Sequence, residues 1–231
     1  MDSSGDGSPG GPADEGSDTA AAVPAAHMST GRLTARQARI VAAWRQELLV
    51  SDPKRWWRTR DHRPPASSSD CLAAAVIELL DDAEPTPIQL VCGHARIREE
   101  LAAERGRAFP AVSTASVYVP GDYADRIGTL LTAAHEFHAE ALAQARAQAE
   151  SELPGAAPLA RGLRYATSAA EHGVPLRVYR IPAATVVRLA IERWSRKAPA
   201  TVVGNAVAHG ERWHTQVHRA REDMGVDQRK R

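Results

Sequence analysis

The chain carries one short unit twice: a β-prone run, a proline, then a helix-prone segment. The first copy is Thr114-Ala-Ser-Val-Tyr-Val-Pro120 followed by GDYADRIGTLLTAA. The second is Leu176-Arg-Val-Tyr-Arg-Ile-Pro182 followed by AATVVRLAIERW. Proline has no backbone N–H and a fixed φ, so it ends strand pairing yet suits the first turn of a helix. Each copy therefore predicts a strand, 114–119 and 176–181, that turns straight into a helix. Even a paired two-stranded ribbon is marginal, so neither strand stands alone. The two must pair with each other, as a pseudo-symmetric ribbon within one chain, or with a second subunit. The second arrangement makes the chain a homodimer.

The remainder reads as helix. Ile40, Val41, Trp44, Leu48 and Leu49 share one face of a helix over 34–50, ended by Ser51-Asp52-Pro53. Ser69 or Asp70 is the expected cap of a helix running to about Asp82. Thr86-Pro87 pairs an N-cap hydroxyl with a first-position proline and opens a helix that stops at Gly106. After Pro120 a long helix reaches about Glu150. Its second half, EALAQARAQAE, is rich in helix formers and poor in apolar side chains, and is expected to project into solvent or to pack thinly. A short helix over 159–171 ends at Gly173. Further helices follow from Ala183 to about Lys197 and from a Thr201 cap onward. The expected fold class is mainly α with a short two-stranded β-ribbon.

Residues 1–31 are Gly, Ser, Asp, Pro and Ala with few large apolar groups, and are expected to be a disordered acidic tail. Met28 is a candidate alternative start. The expected organisation is this tail, a helical portion over 32–153, a strand-helix-turn-helix portion over 154–226, and a frayed basic end over 227–231. No apolar run approaches the ~20 residues that span a bilayer, and no signal peptide is read, so no membrane contact and a cytoplasmic location are expected. Cys71 and Cys92 are far apart, as in a chain with two reduced thiols. Arginine dominates over lysine and alanine is abundant, usage typical of a GC-rich bacterial gene.

Net charge is only +1, but it is segregated. Residues 1–31 carry no Lys or Arg. Residues 32–63 are strongly basic, residues 64–153 strongly acidic, and residues 176–231 strongly basic again. Lys and Arg near polyphosphate release counterions, which drives association with nucleic acid.

Residues 176–218 resemble the ribbon-helix-helix DNA-binding family in order and spacing: a strand of six residues, Pro182, a helix, the Ala198-Pro199-Ala200 turn, and a second helix opened by Thr201. The resemblance implies that two strands pair antiparallel and enter the major groove of double-stranded DNA. It places Arg180 or Arg177, with Tyr179, against base edges, and gives Thr201 and the Val202 amide a phosphate. It also implies a bacterial regulator, or a plasmid partition or transfer-accessory protein. The pattern is imperfect. Neither face of 176–181 is cleanly polar, whereas Thr114, Ser116 and Tyr118 alternate cleanly with Ala115, Val117 and Val119.

A second stretch adds to the DNA reading. Lys54-Arg-Trp-Trp-Arg-Thr-Arg60 interleaves cations with aromatics, so Lys54, Arg55, Arg58 and Arg60 are further candidate phosphate contacts. No catalytic signature competes. His135 with His138, and His214 with His218, have chelating spacing but lack a third ligand or the HExxH glutamate. Cys92 and His94, two apart on a helix, face different ways. No cofactor, metal or enzymatic activity is expected. The rival reading is a helical adaptor that binds a protein partner through its middle portion.

Overall fold

A computed structural model of the chain describes residues 25–51, 67–105, 114–177 and 180–223, with side chains left out at 25, 26, 211 and 213–223. Local sequence explains most helix boundaries. In α1 (Ala35–Ser51) the Thr34 and Gln37 side chains each accept the other's backbone amide, and the Glu104 carboxylate takes the Ala35 amide. Helix α2 (Ser68–Asp82) opens on Ser67, two to three residues before the expected cap. The Ser67 hydroxyl accepts from the Asp70 amide, and the Asp70 carboxylate accepts from the Ser67 amide. Helix α3 (Pro87–Ala103) starts with Thr86 as its cap and Pro87 in the first turn, as the sequence predicts.

The other helices are α4 (Gly121–Glu152), α5 (Pro158–Glu171), α6 (Ala184–Trp194) and α7 (Pro199–Asp223). Helices α6 and α7 both pack on α1 and α2, and α3 joins α4 and α6. Trp44 and Trp194 meet edge to face at the centre, ring centroids 6.1 Å apart, with Val41, Leu72, Val76, Leu80 and Ile191 buried around them. Gly93 lets α6 come close, because a side chain there would start 3.0 Å from Leu189 Cδ2. The second half of α4 does not project. Ala141, Leu142, Ala145 and Ala149 are buried, and α5 closes over this seam with Ala169, Val174 and Tyr165. Alanines at helical spacing supply little apolar area, but they let two helices approach closely.

The one strand pair among the described residues is β1 (Ala25–Ser29) against β2 (Ser116–Pro120), antiparallel, with His27 opposite Tyr118 and Met28 opposite Val117. β2 alternates as expected: Val117 and Val119 are buried, Ser116 and Tyr118 exposed. Its partner corrects the sequence reading. The ribbon joins 116–120 to 25–29, residues assigned to the disordered tail, and not to 176–181. Buried Thr30 extends the contact, exchanging hydrogen bonds with the Ala115 backbone. Because the partner lies in the same chain, β2 needs no second subunit.

The segment 176–181 is not a strand in its described residues. Leu176 and Arg177 form a bend, and Arg180 and Ile181 have no regular structure. Two histidines of α4 explain this. His138 Nε2–H donates to the Pro175 carbonyl at 2.7 Å, and the Ile181 amide donates to His135 Nε2 at 3.2 Å. The backbone groups flanking this segment are thus taken by side chains, and buried Ile181 anchors it to the core.

Candidate nucleic-acid interface

Helix α1 belongs to the first basic zone, and α6 and α7 to the second. Their packing brings the two zones together, through the Trp44–Trp194 contact and a 2.9 Å hydrogen bond from Gln37 Nε2 to Glu192 Oε1. Arg36, Arg39 and Arg45 of α1, Arg196 after α6, and Arg212 of α7 are exposed. None of these five pairs with a carboxylate among the described residues. Arg39 and Arg212 donate to carbonyls of their own helices and Arg45 to the Ser68 hydroxyl.

The neighbouring carboxylates are already engaged. Glu78 holds Lys197 at 2.6 Å and lies 3.9 Å from Arg193, while Glu192 takes Gln37 and Arg96. Two other arginines contrast with this. Arg126 lies between Asp81 and Glu84, and Arg164 is shared by Glu152 and Glu171. The Arg164 hydrogen bond holds the Glu152 carboxyl down to about 2. Arg126 and Arg164 are therefore paired, while the five arginines of the basic zones have no carboxylate partner among the described residues and keep their charge for solvent or a polyanion.

Of the expected contact side chains, Arg177, Arg180 and Thr201 lie within the described residues. Lys54, Arg55, Arg58, Arg60 and Tyr179 lie outside the described residues. Arg177 and Arg180 are exposed, but on irregular backbone and not on a ribbon. Thr201 is exposed and is the third residue of α7, which begins at Pro199. The Thr201 and Val202 amides both donate to the Ala198 carbonyl, and Val202 is fully buried, so neither amide is open to a phosphate. Sequence reading did not single out the five arginines above. Zone charge pointed to their neighbourhood, but choosing them needs the carboxylates that pair with other cations.

Behind this surface lies a buried polar centre without a carboxylate. Arg188, 6% exposed, donates Nη2 to the Thr30 and Arg32 carbonyls and so ties the β1–α1 connection to α6. Burial pulls its guanidinium below its ordinary pKa. His94, 7% exposed, hydrogen-bonds Thr185 through Nδ1 at 3.1 Å, and its Nε2 has no partner among the described residues. Burial, then the charges of Arg98, Arg188 and His135, push its pKa down to about 4. Cys92 Sγ instead faces the Gly173 carbonyl, and burial raises the thiol pKa. The described residues contain no cluster of three or more His, Cys, Asp or Glu that could hold a metal ion, and no helix long and apolar enough to cross a membrane. Comparisons with family models, with curated proteins and with solved structures find no match to the chain.

Proposed function

We propose that the protein binds double-stranded DNA through the phosphate backbone, using the arginine surface of α1, α6 and α7. One observation carries this reading: two basic zones far apart in sequence pack together and leave Arg36, Arg39, Arg45, Arg196 and Arg212 without carboxylate partners among the described residues. Exposed guanidinium groups suit phosphate oxygens, which they meet in forked geometry. Such contacts position a protein on the duplex without reading its sequence. The β1–β2 ribbon supports a major-groove role poorly. Its exposed His27, Ser29, Ser116 and Tyr118 include no Lys or Arg. The proposal therefore rests on the helices.

The test is fluorescence anisotropy on a random duplex of about 25 base pairs at low salt. Wild-type chain is compared with a variant carrying Arg36→Gln, Arg39→Gln, Arg196→Gln and Arg212→Gln. The expected result is binding by wild type and a loss of at least tenfold in the variant, with an unchanged far-UV spectrum. No binding by wild type, or equal binding by both, overturns the proposal.

A further inference from the structure

Helix α5 is amphipathic, but it is turned the wrong way round. Its side facing α4 carries Arg164, Tyr165, Ser168 and Ala169. Arg164 is ion-paired to Glu152 and Glu171, and the Ser168 hydroxyl donates to Gln148. Its outward side is built from Leu159, Ala160, Gly162, Leu163, Ala166, Thr167 and Ala170. Leu159 is 76% and Leu163 63% exposed, and nothing lies within 4 Å of where a side chain on Gly162 would start. A helix on a protein surface ordinarily buries its apolar stripe and shows its charges. The exposed apolar surface continues past the C-terminal end of α5. There Leu176 is 46% exposed, and Ile88 Cδ1 lies 3.6 Å from where a Gly173 side chain would start.

We propose that this face is the contact between two copies of the chain, α5 packing against α5 across a twofold axis. Charge supports a second copy as the occupant. An isologous contact sets one patch against itself, so like charges on it would repel. None of the seven outward residues is charged. Size and shape agree. Ala160, Gly162, Ala166 and Ala170 let two helix backbones approach, and Leu159 and Leu163 of each copy fill the space over the small residues of the other. Area sets the strength. A 14-residue helix is about 21 Å long and about 10 Å across, well short of the ~800 Å² per partner of a standard interface. The dimer is therefore weak and reversible. It does not rest on the DNA reading, because α5 lies outside the arginine surface.

Sedimentation velocity of the full chain, from about 1 to 300 μM, tests the proposal. The weight-average mass is expected to rise from 24.8 kDa toward twice that value. The Leu159→Asp/Leu163→Asp variant, folded by circular dichroism, should stay monomeric over the same range. Should the aspartates unfold the chain, Ala160→Arg/Thr167→Arg keeps both leucines and is expected to weaken the dimer at least tenfold. A wild-type chain that stays monomeric throughout overturns the proposal, as does a dimer that folded variants leave intact. A monomer whose apolar-dye binding rises when residues 1–24 are removed, and falls again with Leu159→Asp/Leu163→Asp, assigns the face to the chain's own N-terminal segment and also overturns it.

Discussion

His94 gives the sharpest prediction for a single side chain. A free imidazole titrates near 6.5, and in the folded chain His94 is pushed down to about 4. Between these values the unfolded chain binds a proton that the folded chain does not. The His94 contribution is therefore complete above pH 6.5, is lost as pH falls through the window, and stays lost below about 4. The full span corresponds to about 3 kcal/mol, and roughly 2 kcal/mol should be gone at pH 5. Urea unfolding of wild type and His94→Gln at pH 7.5 and pH 5 checks this: the variant should lose less stability on acidification. Equal losses would show that His94 does not carry the effect. Arg188 acts nearby through its donated hydrogen bonds. Arg188→Met should raise hydrogen exchange at the amides of β1 and β2 more than at α2, because the Thr30 and Arg32 carbonyls lose their donor.

Among the elements, helices were the most legible and strand partners the least. Thr86-Pro87 and the alternation of 114–119 depend on neighbours in sequence, and both are found as the sequence predicts. The β1 sequence AAHMS has no β signature of its own. It becomes a strand because Thr30, just beyond it, bonds to Ala115, and Arg188 holds the turn that follows. Val-Tyr before Pro182 looks like a strand end, but His135 and His138, more than 35 residues upstream, take the flanking backbone groups. Local pattern contains no trace of either contact. The end of α5 gives a local counterexample. Gly173 has φ 68°, its amide donates to the Ala170 carbonyl, and Val174 donates to the Ala169 carbonyl. This termination favours glycine, so Gly173→Ala should cost about 1 kcal/mol in chemical denaturation, and an unchanged midpoint would contradict it.

On the scale of the molecule, the fold joins what the sequence separates. Zone charge was readable as a DNA hint, but which arginines stay unpaired depends on tertiary neighbours such as Glu78 and Glu192. The junction between zones is the Trp44–Trp194 contact. Trp44→Ala and Trp194→Ala should each cost about 3–5 kcal/mol, with a coupling of about 1 kcal/mol in a double-mutant cycle. Additive losses would mean that the rings do not interact. The most direct test of the central claim, that both zones contribute to one DNA-binding surface, is the salt dependence of duplex affinity. Wild type should show a linear fall of log K with log salt, each neutralised phosphate adding about 0.9 to the slope. The pairs Arg36→Gln/Arg39→Gln and Arg196→Gln/Arg212→Gln should each reduce that slope by about 1 to 2, and together by the sum. A slope unchanged by either pair, or affinity indifferent to salt, would contradict it.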